Sequence, residues 1–334
     1  MDISVIVPMF NAEKNINRTI ISILKQNFNK DYEIILINDG STDNTELICK
    51  EYANTNKNII YKKIKNAGVS NARNIGIKMS KGKYICFVDS DDTISENFLK
   101  DMYESITKNK VDLGICAYER IGNNNKITKK IESQKSEKKD YCGTIIQLQS
   151  NNMLNQIWNK IYKKEIIDNN KIAFPMDMSY GEDFRFVLEY LKKTKSIQII
   201  DKTDYFYNNG SEGLNCKYNR DGLLINVNNI ILLNDFFVEE KYDEKIYKNY
   251  IEKKMLLTII SSICKIYCNE NKEGRNSVLY SFINEKEFKN NIIQKNWKNR
   301  FIVKGAKKHN AFFWFNIKIL NFLKVKYKQI KLGY

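Results

Sequence analysis

The sequence predicts an α/β protein built on a mainly parallel sheet, and three observations predict it. Short apolar runs alternate with amphipathic stretches through the first third of the chain. Those apolar runs end in loops rich in Asp, Asn, Gly and Ser, and chemistry in an open α/β sheet gathers at the carboxyl ends of the strands. Finally, 334 residues are enough for one full core and a smaller second unit.

The first strand holds Ile3, Val5, Ile6 and Val7 and is stopped by Pro8. A helix is predicted over residues 13–26, with Ile16, Ile20, Ile23 and Leu24 on one face. Residues 32–37 form a second buried strand that runs into Asn38, Asp39, Gly40, Ser41, Thr42 and Asp43. Ser41 or Thr42 can cap the next helix, whose buried stripe is Leu47, Ile48 and Tyr52. A third strand follows at 59–63 and a third helix at 69–79, closed by Gly82. Strand 84–88 then breaks into Asp89, Asp91 and Asp92, with Ser90 between the first two. Alternation sends Asp89 and Asp91 to the same side. Two oxygen ligands so spaced can grip one hard divalent ion, which fills its other positions with water and phosphates. An acidic turn that merely caps the helix beginning near Ser95 is the competing reading.

The loops after the first three strands offer Phe10, Asn11 and Glu13, then Asp39 and Asp43, then Asn66, Gly68, Ser70 and Arg73. An aromatic face, acids able to accept from a base or ribose, and one arginine together suit a nucleotide, with the diphosphate neutralised by Arg73 and a metal. Residue by residue, a capping turn around Asp39 and an ion-paired surface Arg73 are equally available. No GxGxxG opens the first helix and no GxxxxGK[ST] occurs, which disfavours dinucleotide and P-loop chemistry.

Four segments, residues 4–13 (SVIVPMFNAE), 37–43 (INDGSTD), 66–76 (NAGVSNARNIG) and 89–92 (DSDD), stand in the order and spacing of the family 2 glycosyltransferases. The chain resembles that family closely over its first 110 residues and more loosely to residue 215. The resemblance implies a GT-A, Rossmann-like fold and an inverting transferase that uses a nucleotide-diphosphate sugar, usually UDP-linked. Carried onto this sequence, Pro8, Phe10 and Glu13 would line the nucleotide, Asn66 would join the donor-binding set, and Asp39 would bind the uracil. Arg73 would lie near the pyrophosphate, Asp89 would touch ribose or donor sugar, and Asp91 would hold Mn²⁺ or Mg²⁺. Phe10 stands where the family more often has Tyr, so a hydroxyl contact is lost while stacking survives.

The acceptor half begins with a strand at 111–118, and the polar, lysine-rich stretch 121–139 reads as a mobile insertion. Glu182 and Asp183 follow Gly181 and precede a helix carrying Phe186, Val187, Leu188 and Leu191. Acids favour any helix amino terminus. The resemblance instead makes Asp183 the general base and Glu182 its acceptor-orienting neighbour, and inversion needs a base opposite the leaving diphosphate. Trp158 is either a sugar-stacking wall or a core residue, and Asn159 and Lys160 are candidate contacts to acceptor or phosphate.

From Asp221 the texture becomes helical, so the expected organisation is a catalytic domain over 1–215, with a nucleotide-sugar half 1–110 and an acceptor half 111–215, and a helical region over 216–334. Of the net charge of +16, twelve positive residues lie after Glu287, where no acid occurs. Phe312, Phe315, Ile319, Phe322 and Leu323 form a stripe there among lysines, which suits an anionic membrane surface or a helix docked on protein. The only histidine, His309, is in that tail, which excludes histidine-rich metal sites and Ser-His-Asp catalysis. Seven cysteines without a CxxC pair, a first segment that reads as a strand rather than a leader, and no apolar run long enough to span a bilayer point to the cytoplasm, with the basic helix peripheral on the inner face of the membrane. The expected function is transfer of a sugar from a UDP-sugar to a hydroxyl of a glycan or lipid-linked acceptor in cell-surface polysaccharide synthesis. A metal-dependent nucleotidyltransferase is the enzymatic alternative. A basic module for membranes or nucleic acid is the third reading, although no nucleic acid is expected because no interleaved aromatic-basic motif occurs in the first half.

Overall fold

A computed structural model describes residues 1–122, 125–176, 181–208, 221–271, 273–274 and 277–278. The chain divides into two compact units, Met1–Ser211 and Glu212–Tyr334.

The first unit alternates strand and helix as the apolar periodicity demands. In chain order it runs β1 (Ile3–Met9), α1 (Ile16–Leu24), β2 (Tyr32–Asn38), α2 (Thr45–Thr55), β3 (Ile59–Lys63), α3 (Val69–Met79), β4 (Tyr84–Phe87), β5 (Thr93–Ile94) and α4 (Phe98–Thr107). It continues with β6 (Leu113–Ile121), β7 (Lys126–Lys129), β8 (Gln134–Glu137), α5 (Tyr141–Ser150), β9 (Lys160–Lys163), α6 (Lys164–Asn170), α7 (Glu182–Lys193) and β10 (Ser196–Asn208). Every residue of β1 is buried, as a strand covered on both faces requires. It pairs in parallel with β2 from Ile3↔Tyr32 to Met9↔Asn38, and with β4 from Ile3↔Tyr84 to Ile6↔Phe87. The strand order is β3-β2-β1-β4-β9-β6-β10-β5, with β7 on β6 and β8 on β10.

The sheet is parallel from β3 to β4 and mixed beyond it. β9 lies antiparallel to both of its neighbours, β4 and β6, while β10 runs parallel to β6. Stretch 121–139 is also not the insertion its composition suggests. It supplies β7 and β8, and both pair antiparallel to their neighbours. Their residues are mostly exposed, so they need few apolar side chains. α1 is shorter than predicted because Glu13 is drawn out of it, its carboxylate accepting from the backbone and side-chain amides of Asn44 at 3.0 Å each.

Two glycines set how closely these layers approach. A Cβ on Gly76 of α3 would meet Ile6 Cγ2 of β1 at 2.4 Å. One on Gly82 would meet the backbone N of Ser4 at 2.5 Å.

In the second unit the described residues form α8 (Gly222–Glu239) and α9 (Glu244–Asn269), which pack on each other. Asp243 caps α9 by accepting from Lys245 N. Ile251, Met255, Ile259, Ile263 and Ile266 make its buried stripe. Among the described residues no helix is long and apolar enough to cross a membrane. The aromatic, lysine-rich tail and His309 lie outside the described residues.

Candidate active site

The site grows from the carboxyl ends of β1, β2 and β4 and from the amino termini of α3 and α7. Behind β1, Phe10 leaves the buried Pro8 and stands 51% exposed, so its ring offers an open apolar face. Asn11, in the left-handed region at φ 48, accepts from Thr42 N at 2.9 Å, and Glu13 N donates to Asp43 at 3.1 Å. These bonds lace the first loop to the second. Asp39 is 4% exposed, and its two oxygens accept from Ala67 N at 2.9 Å and Gly68 N at 2.8 Å. It thereby fixes the loop that carries exposed Asn66 into α3. Gly40, with φ 74, is required here twice over, since a Cβ would also lie 2.9 Å from Asn66 N.

The acidic triplet after β4 separates into different roles. Asp92 is fully buried, and its oxygens accept from Tyr205 Oη and Asn208 N, both at 2.7 Å. Tyr205 Oη also accepts from Asp89 N at 3.1 Å, so one phenol spans the turn. Backbone oxygens along it are held by Arg18 to Asp91 at 2.6 Å, by Asn208 Nδ2 to Asp91 at 3.2 Å, and by Thr19 to Ser90 at 3.0 Å and to Asp92 at 2.7 Å. Asp92 is therefore an anchor. Asp91 is half-buried, and among the described residues no other side chain hydrogen-bonds its carboxylate. Burial, and then the negative charge of Asp89, push its pKa up.

That is the condition a bound cation relieves. Among the described residues no three acids, cysteines or histidines gather into a self-contained metal cage. Mg²⁺ and Mn²⁺ need none, because one or two carboxylates with water and substrate phosphates suffice for such ions. Asp91 fits as the anchor, and Asp89 beside it adds negative charge.

On the other wall of the site, Gly181 at φ 84 turns the chain into α7, placing Glu182 and Asp183 in its first turn. Both meet Arg73 of α3. Nη1 of Arg73 donates to Asp183 Oδ1 at 2.7 Å and to Glu182 Oε1 at 3.2 Å, while Nη2 reaches Asp89 Oδ1 at 3.5 Å. Asp183 keeps a side-chain exposure of 26%, so it holds the ion pair and still leaves part of its carboxylate accessible. Burial raises its pKa to about 7; Arg73 opposes the rise, Glu182 and Asp89 add to it, and Lys160 works against it. Phe174 stacks on Phe186 of α7 at 4.1 Å and is tied to Asn74 of α3 by two hydrogen bonds at 2.8 and 2.9 Å. That strut sets the distance between the two helices.

Trp158 and Lys160 are not presented as acceptor contacts. Trp158 is 5% exposed, its ring stacked on Tyr205 at 4.2 Å and near-parallel to Tyr207 at 5.7 Å. Lys160 is fully buried, donating to Met153 O at 2.9 Å, to Asn159 Oδ1 at 2.8 Å and to Gln156 O. Burial lowers its pKa to about 7. Both side chains are apolar enough along their length to fill the core behind β6 and β10, and the ammonium ties down the loop before β9. Tyr205, Asn208, Thr19 and Arg18, which hold the acidic turn, belong to no motif, since they come from β10 and α1, both far from the turn in the chain.

The glycosyl transferase family 2 model matches residues 4–171, half of the chain. Poly(ribitol-phosphate) beta-N-acetylglucosaminyltransferase TarP of Staphylococcus aureus (strain N315) is 38% identical over 211 residues, 61% of this chain and 61% of TarP. The uncharacterized glycosyltransferase EpsJ of Bacillus subtilis (strain 168) is 29% identical over 215 residues, 64% of this chain and 62% of EpsJ. The matches thus span less than two thirds of these relatives. The crystal structure of S. aureus TarS in complex with UDP-GlcNAc superposes with a TM-score of 0.70 at 21% identity, covering 100% of this chain and 92% of that one, and so shares the fold. With the matched stretch running from β1 through α6 and holding Asp39, Arg73, Asp89 and Asp91, the chain belongs to glycosyl transferase family 2.

Proposed function

We propose that this chain is an inverting glycosyltransferase that moves a sugar from a UDP-sugar to a hydroxyl of a cell-surface glycan or lipid-linked acceptor. The observation that carries the reading is one guanidinium contacted by acids from both sides: Asp89 from the tip of β4 and Glu182 and Asp183 from the tip of α7. These contacts support a single site shared by the carboxylates assigned here to donor and acceptor. Phe10 offers its face to the base, and Asp39 holds the loop around it. Asp183 takes the proton of the attacking hydroxyl as that oxygen closes on the anomeric carbon from the side opposite the diphosphate, and UDP departs. Glu182 steadies Asp183 and the acceptor. Mn²⁺ or Mg²⁺, held by Asp91, would supply electrostatic stabilisation of charge on the departing diphosphate. The activity named for TarP supports N-acetylglucosamine as the sugar and a polyol-phosphate chain as the acceptor. The basic tail would bring the enzyme to an anionic membrane surface on the cytoplasmic side.

A panel of UDP-sugars, UDP-N-acetylglucosamine first, incubated with the full chain and Mn²⁺, tests the reading by release of UDP. Metal-dependent release from one donor, lost in Asp91→Ala, is the expected result. Release of pyrophosphate, or activity in Asp91→Ala equal to that of the parent, sinks it.

A further inference from the structure

We propose that Arg73 is a positioning residue for the base, setting Asp183 against the donor-side Asp89, and that its guanidinium acts on these carboxylates rather than on the diphosphate. The proposal rests on the reading of Asp183 as the base. Three features of the structure carry it. The side chain of Arg73 is 5% exposed, and among the described residues its polar partners are carboxylates of the protein: Asp183, Glu182 and Asp89. The ring of Phe174 lies 5.3 Å from the guanidinium carbon and closes a further side. Nε is buried without a hydrogen-bond partner among the described residues, so the group has been placed for its two terminal nitrogens. Nη1, shared between Glu182 and Asp183, ties both acids of the first turn of α7 to α3 and fixes one oxygen of the Asp183 carboxylate at 2.7 Å.

The groups facing Asp183 are Arg73 from α3, Glu182 from its own helix, Asp89 from the end of β4, and Lys160 and Tyr162 from β9. Arg73 is the cation in direct contact with it. Taking Arg73 away leaves burial and two acids unopposed at close range, so Asp183 holds its proton to higher pH.

The test uses the full chain with Mn²⁺ and UDP-N-acetylglucosamine, or whichever UDP-sugar the panel selects. It reads UDP release across pH 5.5 to 9 and, separately, UDP affinity by calorimetry. In Arg73→Gln the turnover number falls about 100-fold, the acid limb of the rate profile moves up by about one pH unit, and the Kd for UDP stays within about threefold of the parent. Arg73→Lys keeps a buried cation without the fork, recovers part of the rate and shows a limb between the two. A Kd for UDP that rises in step with the loss of turnover, with the limb unmoved, overturns the proposal and makes Arg73 a donor ligand. If circular dichroism shows that Arg73→Gln does not fold, the same two readouts on Arg73→Lys decide. Asp183→Asn separates the two levels: parental turnover in that variant removes the base reading itself, whereas a dead Asp183→Asn beside Arg73 variants with an unmoved limb removes only the role given to Arg73.

Discussion

The pKa of Asp183 is set by opposing neighbours, and the proposed role as base depends on that balance. Burial alone would hold it protonated well above the ordinary carboxylate range, the Arg73 contact pulls it back, and the balance stands at about 7. A base works only when deprotonated, so turnover rises as pH climbs through about 7 and levels off above it. In Asp183→Asn turnover drops roughly 10²- to 10⁴-fold, that limb disappears, and UDP affinity is retained. A pH-rate series with parallel calorimetry checks this. The neighbouring acids show how little residue type says alone. Among the described residues no other side chain hydrogen-bonds the Asp91 carboxylate, whereas Asp92, one residue on, spends both oxygens on Tyr205 and Asn208. Lys160 makes the same point for a cation, since its ammonium is consumed by a loop in the interior.

At the scale of the element, the close approach of β1 to the turn before β4 depends on Gly82. An alanine there would drive its Cβ to 2.5 Å from Ser4 N and 2.6 Å from Ile3 C, both backbone atoms that cannot swing aside. Gly82→Ala therefore lowers unfolding free energy by about 1–3 kcal/mol, read as a melting temperature lower by about 2–4 °C for each kcal/mol. The elements up to β4 were legible because each is coded locally, by an apolar run, a helical stripe and a turn residue, and their acids sit where the strands end. Legibility fell off after β4 for a physical reason. β7 and β8 are edge strands whose exposed positions carry lysine, threonine and glutamate beside a single isoleucine, and β9 is four residues long. Neither kind needs the apolar pattern that advertises a strand. The pairing of Arg73 with α7 joins residues 110 apart in the chain, and no local spacing encodes it. For Trp158, a buried position was one of the two readings open from composition, and the stack against Tyr205 selects it.

For the whole molecule, every described residue of the candidate site falls within the unit Met1–Ser211. A protein comprising residues 1–211 is expected to melt in one cooperative transition, and millimolar UDP with Mn²⁺ is expected to raise its midpoint, by about 2.7 kcal/mol of stabilisation at a hundredfold excess over Kd. Differential scanning calorimetry with and without UDP checks both, and a broad, ligand-insensitive transition would show that the remaining residues complete the fold. The placement of β9 between β4 and β6 has a further consequence, for synthesis on the ribosome. β4 and β6 have both been translated well before β9 appears, yet neither can take its final neighbour until residue 163 has emerged. Until then the nascent chain carries two strand edges open to a partner, and a four-residue strand is what closes both.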